Sequence, residues 1–485
     1  MRVAILGVGG LGRTLASELR GDPRVTSLLL VDLYGERARV LTGIRGRVAI
    51  EAKQLNVENR IALTRAIAGV DLVINATLPK YNLGIMQAAL EVRANYLDPS
   101  AAGPREPGGL AGIFEQLAMG EAFKDAGLTG LVSMGLDPGL SNVMARSAVE
   151  RLDTIDAIRI RSGGIAALPG YSSFPLYSRE VFLSDVLTPP TVWLDGALQD
   201  RAPLSEPEEY GFPPPVGSQR TYLISHEEVK TLPKFLGKPI GRVDYKYVLD
   251  PHLVQAILSL DKLDLLSDSH MIRMGNQMVS FRRAFLAAFP EPSALVLPLE
   301  GAESLSVEVE GQTGGKRVVY RGDITLTHQE ANRRRSTTAA SYLGAVGAAI
   351  GTALIGDKAT PGPGVYPAEA LDPTRVFREW AARGLPMAAI AIAVLVLLVG
   401  VANAAVTRGL WFPVKEDGGC TSCRFGLGLC GPARRLAARG HLFLPISDRG
   451  GGHVLRARAP DLRGGWALGG GVFPVLRLPG SDGTR

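Results

Sequence analysis

The chain has 485 residues, 46% of them hydrophobic, enough for two to four domains with sizeable cores. Its 53 Lys and Arg exceed its 47 Asp and Glu, but from Arg408 onward the count is 12 against 5, leaving 41 against 42 in residues 1–407. A body without net basicity has no electrostatic footprint for a polyanion, so nucleic acid is not expected as a partner. All three cysteines also lie beyond residue 407, so the body needs no disulfides and suits a reducing cytoplasm. The first residues enter a strand with no basic-plus-apolar leader, so export is not expected.

Val3, Ala4, Ile5 and Leu6 run into Gly7-Val8-Gly9-Gly10-Leu11-Gly12; Leu11, Leu15 and Leu19 then recur at helical spacing, and Leu28 to Val31 ends in Asp32. Strand, glycine-rich turn, helix, strand and acid is the order of a dinucleotide-binding unit. Gly7 allows the turn, Gly9 lets backbone approach a pyrophosphate, and Gly12 lets the helix pack close to the strand. Gly10 and Leu11 open the helix, whose unpaired N–H groups and partial positive charge face the phosphates. Asp32 is placed to accept from a ribose 2′-hydroxyl. It favours NAD, with NADP admitted if Arg37 and Arg39 soften the repulsion of a 2′-phosphate.

Val48, Ile50 and Ala52 alternate with polar neighbours as a third strand ending near Asn56-Val57, and Glu58-Asn59 cap a helix bearing Ile61, Leu63, Ala66 and Ile67. Asp71 to Ala76 reads as a buried parallel strand between Gly69 and Pro79. A helix with Leu83, Met86, Ala89 and Leu90 follows. Tyr96-Leu97-Asp98 is a fifth strand, and Leu131 to Met134 a sixth. Six strands separated by helices make an α/β fold, a Rossmann-type doubly wound parallel sheet, with ligands beyond the carboxyl ends of its strands. Val57, Asn75, Ala76, Pro79, Asp98 and the turn bearing Asp137 and Pro138 fall there.

The pattern then changes. Ile155 to Arg161 alternates as a half-exposed strand. Leu305, Val307 and Val309 alternate with Ser306, Glu308 and Glu310, turn at Gln312 to Lys316, and return through Val318 to Leu326. This predicts an antiparallel hairpin sheet in an inserted α+β domain. Helices follow at Thr337 to Leu354 and Pro373 to Arg383.

The segments Met134-Gly135-Leu136-Asp137-Pro138-Gly139-Leu140-Ser141-Asn142, Asn75-Ala76-Thr77-Leu78-Pro79, Asn95-Tyr96-Leu97-Asp98 and Gly362 to Glu369 resemble signature segments of the saccharopine dehydrogenase-like reductases. Tyr177 to Leu187 with Pro189-Pro190-Thr191 resembles the lysine 6-dehydrogenase-like and saccharopine reductase-like members. The resemblance covers about residues 1–385. It implies a Rossmann domain (1–151), an α+β substrate and dimerisation domain (152–331) in a homodimer, and helices returning to the nucleotide domain (332–385). The implied activity is NAD(P)-dependent hydride transfer at a C–N bond of an amino acid, through an imine. Lysine deamination and reductive joining of an amino acid to a semialdehyde both fit. The alternative from another class is a catalytically silent, membrane-tethered NAD-binding module.

Hydride loss from an amine requires its neutral form, so a proton acceptor near the nicotinamide is expected. Asp98 at a strand end is the first candidate, with Tyr96 beside it and His226 in the polar stretch Ser225 to Glu228. Amino-acid carboxylates are gripped bidentately by arginine; Arg179, near Tyr177, and Arg220 are candidates for that clamp.

Leu385 to Val406 carries no charge, long enough to span a hydrocarbon core. A transmembrane or membrane-anchoring helix is expected over 386–407, followed by a basic, disordered Gly/Arg-rich tail over 408–485. The cytoplasmic catalytic body would then be tethered to a membrane. A positive tail beyond such a span opposes the positive-inside tendency, which keeps a monotopic anchor or a shifted reading frame open. Cys420, Cys423, Cys430 and His441 are irregularly spaced for zinc, and no metal is expected.

Overall fold

The computed structural model describes residues 1–385, 387–393 and 407–410, apart from 40, 44–45, 102–111, 293–294 and 296–298. Strands β1 (Arg2–Leu6), β2 (Ser27–Asp32), β3 (Ala49–Gln54), β4 (Leu72–Asn75), β5 (Asn95–Leu97) and β6 (Thr129–Val132) are the six expected from the apolar runs. They pair in parallel in the order β6-β5-β4-β1-β2-β3. Strand order reverses between β1 and β4, and the crevice at that point is where open α/β sheets bind ligands.

Side chains alternate across the sheet. Val3, Ile5, Leu28 and Leu30 pack under the helices Gly10–Leu19 and Ala339–Gly356. Ala4, Leu6, Leu29 and Val31 pack under Asn82–Glu91 on the other face. Both faces are covered, which is why these strands read as continuous apolar runs. Gly7 has φ +90°, and a Cβ there would lie 2.5 Å from the Ala76 carbonyl oxygen; one at Gly12 would lie 1.9 Å from that of Gly7. Only glycine lets β1, β4 and the first helix approach so closely.

The second sheet is built from β7 (Thr154–Ala167), β8 (Thr191–Leu194), β9 (Ala197–Asp200), β10 (Glu208–Gly211), β11 (Ser218–Leu223) and β12 (Ile240–Val248), followed beyond a small hairpin, β13 (Met271–Met274) and β14 (Gln277–Ser280), by β15 (Glu300–Thr313) and β16 (Lys316–Thr327). The sheet is mixed, not purely antiparallel as the hairpin pattern suggests. Its centre, β7, runs parallel to β12 and antiparallel to β15. The chain then returns to the first sheet through Ala339–Gly356 and adds β17 (Gly364–Pro367), parallel to β6. Nothing in Pro-Gly-Pro-Gly-Val-Tyr-Pro alternates, so this seventh strand has no local signature.

The apolar run expected as one helix from 386 opens instead as a strand, β18 (Ala388–Ala393), antiparallel to β16 and followed by β19 (Thr407–Leu410). The strand satisfies its backbone by adding to the edge of β16. The rest of the run, the tail beyond 410 and Cys420, Cys423, Cys430 and His441 lie outside the described residues. Among the described residues one helix, Ala339–Gly356, is long and apolar enough to cross a membrane, and it is 89% buried. It is a core helix between the two parts of the fold.

That helix is anchored by His328, which is 1% exposed. Its Nδ1 accepts from Ala339 N at 3.1 Å and its Nε2 lies 3.2 Å from Ile165 O, so the neutral Nε2–H tautomer satisfies both bonds. Burial holds its pKa down at about 4. A histidine depressed in the folded state stabilises it above the unfolded value near 6.5, and that contribution is lost as pH falls toward 4. His328→Gln is expected to cost about 2 kcal/mol at pH 7.5 by urea denaturation. The gap from wild type should shrink steadily between about pH 6.5 and 4. A pH-independent gap would assign the loss to packing alone.

Candidate active site

A cavity of about 490 Å³ opens at the strand-order reversal and extends to the face of the second sheet, within the size range of small-ligand and cofactor sites. At one end it is walled by Gly7, Gly9, Gly10 and Leu11, with Asp32 and Val57 beside them and Ala76 and Pro79 opposite. Gly9 has open space where a side chain would be, so backbone N–H groups at the helix start can face a phosphate. The start of the return helix, Ala340, Ser341 and Gly344, lines the same end. This fits a nicotinamide dinucleotide, with the pyrophosphate on the glycine loop.

Asp32 already accepts from Val8 N at 2.7 Å and Tyr34 N at 2.8 Å, so it braces the glycine loop. Its spare lone pairs can still accept a ribose hydroxyl. Arg37, unlike Arg39, lines the cavity, with its guanidinium 4.9 Å from the Tyr34 ring centroid. The adenosine end thus carries both an acid and a base.

The other end is acidic and aromatic. Asp137 and Pro138 reach it from the turn after β6, His226 and Glu227 from the approach to helix Glu228–Phe235, and Tyr177 and Asp185 from around helix Arg179–Leu187. The sheet contributes Tyr245 and Tyr247 from β12 and Glu303 from β15. Tyr245 donates to Asp137 at 2.5 Å, and Tyr177 to Asp185 at 3.0 Å. His226 stacks on Tyr245 with centroids 3.7 Å apart, and its Nδ1 lies 2.5 Å from Glu228. Tyr177 and Tyr247 meet edge to face at 5.7 Å.

Burial dominates the electrostatics. It pushes Asp137 up to about 6 against the opposing pull of His226, and Asp185 up to about 8. Burial, then repulsion from Asp137, holds Glu303 well above the carboxylate range. Burial alone would lower His226, but Glu228 first, then Glu227 and Asp137, raise it to about 10. The site is a cluster of carboxyl groups around one imidazolium.

Several expected residues stand elsewhere. Gly12 and Asn75 support the cofactor end without lining it. Asn75 donates to Asn82 at 2.7 Å and accepts from Thr77 N at 2.9 Å, holding the loop after β4. Asp98 and Tyr96 are fully buried in the first sheet and do not line the cavity. Asp98 accepts from Ser133 N at 2.8 Å and Gln116 Nε2 at 2.5 Å. Burial raises its pKa to about 7. Neither arginine is a clamp in the cavity. Arg179 donates to the carbonyls of Leu286 and Phe289 and pairs with Glu291 at 2.5 Å. Arg220 is half exposed on β11, 3.7 Å from Glu209. The reason is strand phase and loop packing, which turn both guanidinium groups away. Asp185, Tyr245, Tyr247 and Glu303 escaped the sequence reading. Glu303 alone left a trace, an acid on the same phase as Leu305, Val307 and Val309.

Residues 3–131 match the saccharopine dehydrogenase NADP binding domain and residues 135–385 the saccharopine dehydrogenase C-terminal domain. The chain is similar to a carboxyaminopropylagmatine dehydrogenase of Synechocystis, 25% identical over 396 residues, covering 79% of this chain and 96% of the relative. It is also similar to a carboxynorspermidine synthase of Vibrio cholerae, 26% identical over 342 residues, covering 65% and 79%. Among solved structures, a saccharopine dehydrogenase (L-Glu forming) of Saccharomyces cerevisiae shares the fold, with TM-score 0.60 and 15% identity over 81% of this chain and 100% of that one.

With its carboxyl group buried away from the cavity lining, Asp98 is expected to act on stability. Asp98→Asn resembles the protonated acid and is expected to leave turnover within about twofold of wild type. Asp98→Ala, which strands two buried donors, should lower unfolding stability by about 2–4 kcal/mol. A large loss of turnover in a stably folded Asp98→Asn would return the residue to the reaction.

Proposed function

The chain belongs to the saccharopine dehydrogenase family and is an NAD(P)-dependent oxidoreductase, and on that premise we propose that it joins a diamine or polyamine to an amino-acid semialdehyde by reducing the imine between them. The observation that carries this reading is the substrate end of the cavity. Its described walls offer the carboxyl groups of Asp137, Asp185, Glu227 and Glu303 and three tyrosine rings, with no arginine to clamp a dicarboxylate. Carboxylates and aromatic faces are the chemistry that receives ammonium groups. The names of the two relatives, a carboxyaminopropyl-agmatine and a carboxy-norspermidine, describe secondary amines joining a polyamine to a carboxylated chain. This favours reductive joining over lysine deamination.

The overall reaction condenses an aldehyde with a primary amine, releasing water, and adds a hydride to the imine carbon and a proton to its nitrogen. When bound, the nicotinamide cofactor supplies the hydride. The protein manages charge and protons. Asp137, beside the glycine-lined cofactor end and oriented by Tyr245, takes the proton that the incoming ammonium must lose to attack the aldehyde. Its value of about 6 suits a base working near neutral pH. His226, with Nδ1 committed to Glu228, presents Nε2 as the donor for departing water. Tyr245 keeps the two groups in register, bonded to one and stacked on the other.

Incubating the full chain with 1,3-diaminopropane, aspartate semialdehyde and NADPH or NADH is expected to consume reduced cofactor and yield a secondary amine by mass spectrometry. Binding of cofactor without consumption across a panel of amines and aldehydes would instead support the silent module. Asp137→Asn should lower kcat by about 10²–10⁴. In wild type, kcat/KM should rise with pH through about 6 as the base form of the free enzyme appears, and that limb should be absent from the variant.

Cofactor choice rests on Asp32 against Arg37. A 2′-phosphate is repelled by the first and held by the second. Arg37→Ala is expected to weaken NADPH binding about tenfold or more while changing NADH binding by less than about threefold. Equal losses for both would remove Arg37 from the 2′ position.

A further inference from the structure

Glu303 is a carboxyl group in the cavity that the proton chemistry does not use. It is 2% exposed, lines the cavity, and its Oε2 has no hydrogen-bond partner among the described residues. It stands on the core-facing phase of β15, where the next residues inward are Leu305, Val307 and Val309, all buried. An apolar side chain is what that row calls for, and an unpaired buried carboxyl group is costly there. The strand opposite makes room for it. Glu303 pairs across from Gly164 of β7, and a Cβ at Gly164 would come within 2.9 Å of Oε2.

The charges around it are already assigned elsewhere. His226 is bound to Glu228, and Lys230 is buried against Glu227 and Asp185. The charged group that acts on Glu303 is Asp137, which repels it. Tyr247 lines the same wall, and its hydroxyl is pushed up by burial first and then by the Glu303 carboxyl group. Along β7, Glu303 is opposite Gly164 and Tyr245 is opposite Ile160. Four residues separate these rows, about 13 Å at the strand rise. Both residues line the same cavity, so the rows mark out a length of wall along which a short alkyl diamine can lie.

Building on the proposed amine-joining reaction, we propose that Glu303 is the subsite for the far ammonium group of a dicationic amine, and so selects diamines over monoamines. The near amine reacts beside Asp137; the far one forms an ion pair with Glu303, walled by Tyr247. Filling the subsite supplies the countercharge that the fold withholds.

The test compares the full-length wild type with Glu303→Gln and Glu303→Asp, using 1,3-diaminopropane, 1,4-diaminobutane and n-propylamine. Glu303→Gln is expected to raise KM for 1,3-diaminopropane about thirtyfold with little change in kcat, so that preference for the diamine over n-propylamine collapses. Glu303→Asp keeps the charge on a side chain one carbon shorter and should move the optimum from the three-carbon toward the four-carbon diamine. Retained preference in Glu303→Gln, or a fall in kcat at unchanged KM, would overturn the subsite. If wild type consumes no reduced cofactor with any amine, the amine-joining reading fails separately. Calorimetric titration of 1,3-diaminopropane into the cofactor-loaded protein then still reads the subsite, because binding to wild type that Glu303→Asp keeps and Glu303→Gln loses supports it, and absence of binding overturns it. Should Glu303→Gln not fold, the chain-length shift in Glu303→Asp decides the matter.

Discussion

The hydrogen bond from Tyr245 to Asp137 is where the two sheets of this protein become one site. Asp137 belongs to the turn that ends the sixth strand of the nucleotide sheet; Tyr245 belongs to the middle of the second sheet. The same turn is tied in three further directions. Asn142 accepts from Gly139 N at 2.9 Å and donates to Glu369 of the returning segment at 2.9 Å. Ser141 donates to Glu228 at 2.8 Å, and Glu228 in turn holds His226. Moving this turn would displace Asp137, His226 and the wall of the cofactor end together. Such mutual bracing keeps reacting groups within the narrow tolerances that catalysis requires.

The second organising fact is electrostatic. Several carboxyl groups share the cavity with one histidine, a clustering typical of functional sites. Burial shifts Asp137, Asp185 and Glu303 toward their protonated forms, Asp137 least among them, with His226 opposing the shift. A cation bound among them would reverse that balance, since an ammonium group stabilises a carboxylate that burial alone disfavours.

The return of the chain to its first domain links cofactor and substrate. After the second sheet, the apolar helix Ala339–Gly356 lies against the first helix of the nucleotide unit and brings Ala340, Ser341 and Gly344 to the cofactor end of the cavity. Its start is fixed by His328, whose other nitrogen contacts β7 of the substrate sheet. A single neutral histidine thus connects the second sheet with the helix that lines the cofactor end of the cavity. The strand β18, added to β16 at the far edge of the second sheet, lies past residue 385, where the family match stops.

The nucleotide half of this protein was legible in its sequence because its signals are local. The glycines from Gly7 to Gly12 and the acid Asp32 fall within one strand–helix–strand unit, and doubly buried parallel strands announce themselves as apolar runs. His226 was visible as a lone histidine among acids, but its Glu228 partner and Tyr245 stack were not. The substrate end was hidden because it is a product of register. Tyr245, Tyr247 and Glu303 lie on core-facing strand phases, where an aromatic reads as packing and an acid as an irregularity. Only the pairing of β12 and β15 with β7 places them on one wall. Strand phase and loop packing turned Arg220 and Arg179 away, and Asp98 is buried in the first sheet, bonded to Ser133 and Gln116. Residue types and short spacings determined the fold class and the cofactor loop. Which side chains share the cavity was decided largely by contacts between segments distant in the chain, which no local pattern encodes.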